Sequence, residues 1–188
     1  ASFNPKMKIV DILTEPLRNY GRLKRKDKEA KAKELRRDIV KMIYAAQSGH
    51  LGGSLSEIDI LTALFHGEMN YSGKNMDDPN RDRFVLSKGH TAPALYVNLA
   101  DVGCFPKERL FDSYRRINGL LQGHPCMKTP GVEIAGGSLG IGLSVAAGMA
   151  LGNRYQGYKG RVYCMMGDGE INEGQIWESA ATSAGWSG

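Results

Sequence analysis

RVYCMMGDGEINEG, Arg161–Gly174, is the stretch on which the fold turns. Its first six residues are mostly apolar and read as a buried strand, Arg161–Met166. A glycine turn follows, Gly167-Asp168-Gly169, and helical spacing then runs from Glu173 to about Ala184. Strand, turn and helix in that order are one half of an α/β unit. The turn raises a chemical question. Glycine turns after strands bring backbone N–H groups up to phosphates, yet Asp168 would repel one. The carboxylate becomes useful if a cation lies between it and the anion. Mg²⁺ suits that place, because it takes one or two carboxylates with phosphate oxygens and water. The turn therefore points to a metal–diphosphate site, although an Asp-Gly turn at a strand end is also common without any ligand.

The rest of the chain reads in the same alternating way. Apolar residues at Leu35, Ile39, Met42, Ile43 and Ala46 set a helix over 26–47. Ser56 with Asp59 resembles a capping box opening a helix to about Gly67. YSGKNMDDPNRD, 71–82, reads as a polar loop, and RFVLS, Arg83–Ser87, as a strand. Pro93 and Pro106 suit the first turns of helices to about Val102 and Ile117. The glycine turn 137–142 opens a helix to about Tyr155. The expected fold is α/β, a mainly parallel sheet flanked by helices, with ligands beyond the carboxyl ends of the strands. The expected domains are an N-terminal arm, 1–25, and one domain, 26–188.

Composition narrows the class. The chain has 188 residues, 41% of them apolar and 24% charged, and a net charge of +5. Residues 18–41 carry eleven Lys/Arg against four acids. Such a run is most simply a solvated helix face, and its single aromatic, Tyr20, does not make an interleaved set for base stacking. Neither a membrane nor a nucleic acid is expected as a partner. Cys104, Cys126 and Cys164 show no CxxC or zinc spacing, which suits a reduced cytoplasmic protein. No dinucleotide fingerprint, Walker sequence or HExxH is present.

Three of the four histidines directly follow glycine: His50, His90 and His124. A glycine lets the backbone bend so that a ring reaches into a cleft. Three imidazoles in one cleft would bind phosphate or hydroxyl oxygens, or move protons near neutral pH. His66 lacks the glycine and reads as a packed residue. GGSLGIGLS, Gly136–Ser144, is a glycine-rich turn against which a flat ring could lie, or simply a tight helix packing site.

SGHLGGSLSEIDIL, DRFVLSKGHTAPALY, GHP, PGVEIAGGSLGIGLSVAAGMAL and GDGEINEGQIWESA occur in one order that covers most of residues 45–184. Together they resemble the N-terminal, thiamine-diphosphate-binding half of the transketolase family, and the last of them resembles the split form in which two chains share the enzyme. The resemblance implies the cofactors thiamine diphosphate and Mg²⁺. It implies that Asp168 holds the metal and that Gly169 meets the diphosphate. It places His90 on the cofactor phosphates and Gly137, Ser138 and Leu139 on the aminopyrimidine side. His50 and His124 would serve the substrate as catalytic residues, and Glu173 would lie near the activating glutamate of a neighbouring subunit. The implied partners are a C-terminal transketolase subunit, a further copy of the chain and sugar phosphates, in a heterotetramer serving the pentose phosphate pathway. The implied reaction moves a two-carbon ketol unit from a ketose phosphate to an aldose phosphate. The family's second metal ligand, an Asn, is expected beyond Gly188, which would make the domain incomplete at its C-terminus. Leu51, Ser138 and Ile141 depart from the family's usual residues. Two alternatives stay open: another thiamine-diphosphate enzyme, resembling deoxyxylulose-phosphate synthase or a 2-oxoacid dehydrogenase component, and a non-catalytic assembly module using the basic segment.

Overall fold

The computed structural model describes residues 25–185. The expected N-terminal arm thus falls almost wholly outside the described residues. Helix α1, Arg25–Ala46, sends Leu35, Ile39 and Met42 inward at helical spacing, and none of the three touches solvent. It packs on α2, Leu51–Ala63, and on α3, Ala92–Asp101. Among its basic residues, Lys33, Arg37 and Lys41 are exposed, Lys31 and Arg36 half-buried and Lys28 buried. Lys31 pairs with Glu34 and Asp101, both at 3.0 Å, and Arg36 pairs with Asp59.

Two strands, β1 (Arg83–Leu86) and β2 (Val162–Met165), pair in parallel with Arg83 opposite Val162 and Leu86 opposite Met165. Alternation sorts their side chains. Phe84 and Leu86 join the core of α1, α2 and α3, with Tyr163 and Met165 beside them. Val85 and Cys164 face the other way, on the side where α5, Ile141–Gln156, crosses the strands. Helix α6, Gly174–Ala184, packs on α5. The α/β architecture with a parallel sheet flanked by helices is therefore as the sequence implied. The ladder continues one bond past β1, Ser87 N donating to Met165 O at 2.9 Å. The carboxyl ends of both strands thus open side by side, where loops of an α/β sheet collect ligands.

Three local expectations are corrected. The Ser56–Asp59 capping box does not form. Helix α2 begins five residues earlier, at Leu51, and the Ser56 hydroxyl donates instead to Gly53 O at 2.8 Å. The early start fits close packing: a Cβ built on Gly53 would lie 2.7 Å from Thr91 Cγ2. The helix expected after Pro106 shrinks to the single turn α4, Arg109–Asp112. Arg115 and Asn118 then take positive φ, and Arg115 N donates to Leu121 O, so the chain folds back on itself. The loop 71–82 is not simply polar. Tyr71 is buried and its hydroxyl donates to Gly131 O at 2.7 Å, while buried Arg81 meets Glu133 at 2.5 Å. Those contacts anchor the segment leading into the glycine turn. No helix of the described residues is long and apolar enough to cross a membrane.

Candidate functional site

Three turns carry the glycine–histidine pairs, and packing brings them together. Gly49 takes φ +149°, and a Cβ there would lie 3.0 Å from both Ile43 Cγ1 and the Tyr114 hydroxyl. That close approach turns the chain out of α1 and presents His50 at the start of α2. His90 sits in the short turn between β1 and α3. Its ring lies edge-on to His50, centroids 5.3 Å apart. The third turn is held from α3, because buried Tyr96 donates to Gln122 O at 2.9 Å and reaches His124 O at 3.1 Å. Arg115 and Arg116 fasten the same loop to the end of α1, through Ser48 Oγ and Ala45 O, both at 2.9 Å.

The three imidazoles share one electrostatic environment. Burial first, then the neighbouring His50, Lys88 and His124, hold the His90 ring below the ordinary imidazole range, with Glu170 opposing them. His90 is thus neutral near pH 7, a hydrogen-bond donor through one nitrogen and an acceptor through the other. Beside the cluster, a cleft of about 560 Å³ is lined by Ser48, Arg115, Arg116, Gln122 and His124. His66 stays apart, 3.5 Å from Asp101 in the packed interior.

The glycine turn forms the opposite wall. Gly136 N donates to Pro125 O at 3.0 Å, and a Cβ on Gly89 would lie 3.0 Å from Gly137 N. The turn is therefore wedged between the loops of His90 and His124. Gly137, Ser138 and Leu139 are all exposed along it. At its end α5 starts against β1 so closely that a Cβ on Gly142 would lie 2.6 Å from Ser87 Cα.

The Gly167–Gly169 turn faces this wall from the end of β2. Asp168 is exposed, and a Cβ built at Gly169 meets nothing within 4 Å. Among the described residues, no group accepts from the backbone N–H of Asp168 or Gly169. The turn's own rim is held by Glu170, which sequence reasoning passed over. Glu173 is exposed, with its Cβ 3.0 Å from the position a Cβ would take on Gly140. Lys88 was also passed over. Its stem runs within 3.6 Å of a Cβ position on Gly167, and its ammonium pairs with buried Glu57 at 2.9 Å. Burial raises the Glu57 carboxyl, and Lys88 partly offsets this. No spacing in the sequence marks that pair, because its partners are far apart in the chain and joined only by the packing of α2 against the β1–α3 turn.

Residues 27–187 match the family described as "Transketolase, thiamine diphosphate binding domain". The chain belongs to the transketolase family. Among its relatives, one of the subunits of the apulose-4-phosphate transketolase of Actinobacillus succinogenes is 42% identical over 158 residues, covering 83% of this chain and 57% of that protein. The transketolase of Mus musculus is 43% identical over 151 residues, covering 80% of this chain and 24% of that one. Among solved structures, transketolase from Campylobacter jejuni superposes with a TM-score of 0.72 at 33% identity, covering 80% of this chain and 25% of that one. The chain thus spans a little over half of the subunit-type relative and about a quarter of the single-chain transketolases.

Against a thiamine diphosphate the described residues fit. The open amides at Asp168 and Gly169 can receive phosphate oxygens, and the flat, exposed turn Gly137–Leu139 can receive a ring. No cluster of three or more His, Cys, Asp or Glu side chains among the described residues is arranged to hold a metal. Asp168 offers a single carboxylate rather than a closed cage, which is what Mg²⁺ held mainly by a diphosphate and water needs.

Proposed function

We propose that this chain is the cofactor-binding part of a transketolase, which takes thiamine diphosphate through Mg²⁺ and moves a two-carbon ketol unit from a ketose phosphate to an aldose phosphate. The observation that carries the reading is the meeting of three glycine–histidine turns, the Gly136–Gly140 turn and the Asp168 turn at the carboxyl ends of two parallel strands. Thiamine diphosphate, when bound, supplies a nucleophilic carbon and an electron sink for breaking a bond beside a carbonyl.

The chain's own residues do the holding. Asp168 takes the metal, and the amide of Gly169 takes a diphosphate oxygen. His90, neutral at pH 7, donates to a phosphate oxygen without needing to be charged. Gly137, Ser138 and Leu139 bound the aminopyrimidine side. His50 and His124, both exposed and the latter lining the cleft, hold hydroxyl and carbonyl oxygens of the sugar and pass protons there. The two guanidinium groups in the cleft favour a phosphorylated sugar over a neutral one. Glu173 faces a second chain, where the activating carboxylate would come from a separate C-terminal subunit. The relative from Actinobacillus succinogenes supports that division, since it is itself one subunit of a transketolase. We infer that the working assembly holds this C-terminal partner together with a second copy of the chain, and that it acts in the reducing cytoplasm.

Calorimetry tests the reading on the full protein with its partner subunit. Thiamine diphosphate should bind saturably with Mg²⁺, and Asp168→Asn should remove the metal-dependent heat while circular dichroism stays the same. Ketose phosphate should be consumed without CO₂. Release of CO₂ from pyruvate would favour the carboligase or dehydrogenase reading, and the absence of any cofactor heat would favour an assembly role.

A further inference from the structure

Glu170 is almost fully buried, with 2% of its surface exposed, yet no cation among the described residues forms an ion pair with it. Its carboxylate is satisfied by three hydrogen bonds from three different loops. Oε1 accepts from Ser87 Oγ at 2.5 Å and from Gly140 N at 2.7 Å. Oε2 accepts from Gly167 N at 3.0 Å. Ser87 ends β1 and leads directly into Lys88-Gly89-His90. Gly140 closes the glycine turn and precedes α5. Gly167 opens the turn that carries Asp168. Resting on the transketolase reading, we propose that Glu170 is a positioning residue that clasps these three loops at the spacing thiamine diphosphate needs.

The residue type follows from the donors. A carboxylate is acceptor-only on both oxygens, and here donors arrive on both sides. A glutamine in its place must aim an NH₂ either at Gly167 N–H or at the Ser87 and Gly140 pair, so one side of the clasp opens whichever way it sits. An aspartate is one methylene too short to reach across. Burying the charge without these bonds would be strongly unfavourable, which makes the three loops and the carboxylate mutually dependent. Glu170 would touch neither the sugar nor the reacting carbon, and it would act only through the placement of Gly167–Gly169, Gly137–Leu139 and His90.

The test uses the full chain with its partner subunit, in four variants: Glu170→Gln, Glu170→Ala, Ser87→Ala and the Ser87→Ala/Glu170→Gln pair. Two quantities are read well below the melting temperature. One is the Kd of thiamine diphosphate with Mg²⁺ by calorimetry. The other is amide hydrogen exchange at Gly140 and Gly167 in the cofactor-free protein. Glu170→Gln should weaken cofactor binding about tenfold or more, raising the cofactor KM while leaving the sugar KM alone, and should speed exchange at Gly140 or Gly167 about tenfold. Ser87→Ala should do less in the same direction, and the pair should fall short of the product of the two single effects. A folded Glu170→Gln with unchanged Kd and unchanged exchange overturns the proposal, as does a lowered melting temperature with unchanged Kd. Should Glu170→Ala fail to fold, the glutamine and Ser87 variants decide. Should the parent bind no thiamine diphosphate, the functional reading falls, and exchange at Gly140 and Gly167 alone decides whether the clasp exists.

Discussion

Replacing Gly142 or Gly148 by alanine should move stability in opposite directions, although both lie within α5. In a helix interior alanine is favoured over glycine by about 1 kcal/mol. A Cβ at Gly148 meets nothing within 4 Å, so Gly148→Ala should gain roughly that amount. A Cβ at Gly142 would overlap Ser87 Oγ and Cβ and would lie 2.6 Å from Ser87 Cα. The last of these is backbone, anchored by the ladder bond to Met165 O, so α5 itself must move. Overpacking against backbone costs about 3 kcal/mol, the top of the usual range, which leaves Gly142→Ala about 2 kcal/mol less stable after the helix gain of about 1 kcal/mol. The two variants, about 3 kcal/mol apart, should therefore melt about 6–12 °C apart for a domain of this size. Urea denaturation with and without thiamine diphosphate is the assay. Because the displaced end of α5 carries the Gly137–Leu139 turn, Gly142→Ala should also weaken cofactor binding, and Gly148→Ala should not. Equal stability of the two variants would refute the close approach of α5 to β1.

Other outcomes follow from the buried charges. Lys88→Met strands Glu57 without its cation and should destabilise the fold by about 3 kcal/mol, more at pH 8 than at pH 5, because burial then raises the Glu57 carboxyl with no Lys88 ammonium to oppose it. Adding Glu57→Gln should recover most of that loss, as chemical denaturation at the two pH values will show. His66 is held below its ordinary value by burial and by Lys31, with Asp101 opposing. Its folded value lies below its unfolded one, so the unfolded chain binds the proton more readily. Stability should then be complete above pH 6.5 and fall as pH drops below it, a slope that His66→Asn removes.

Burial also sets the limits of thiol chemistry here. The Cys104 thiol is pushed up to about 11 and the Cys164 thiol to about 12, in both cases chiefly by burial. Neither is a nucleophile at neutral pH, in keeping with a site built from histidines and backbone rather than sulfur.

Much of this architecture was legible in the order of residues because the signals were local. Short apolar runs at Arg83–Leu86 and Val162–Met165, 3.6-residue spacing in Arg25–Ala46 and glycine at the turns are properties of neighbours in the chain, and the five family segments keep one order. The three glycine–histidine pairs were legible for the same reason, since glycine marks where backbone must bend. The end of the helix after Pro106 and the start of α2 were not, because a fold-back at Arg115 and a contact between Gly53 and Thr91 depend on residues far along the chain. Glu170 and the Glu57–Lys88 pair were invisible for a stronger reason. A glutamate after a glycine turn reads as exposed, and only tertiary packing surrounds it with donors from Ser87, Gly140 and Gly167. The sequence by itself marked Asp168, the glycine turns and the three glycine–histidine pairs as candidates. The tertiary structure decided that they meet, because the parallel pairing of β1 and β2 sets two loop ends side by side and close glycine packing draws the remaining turns onto them.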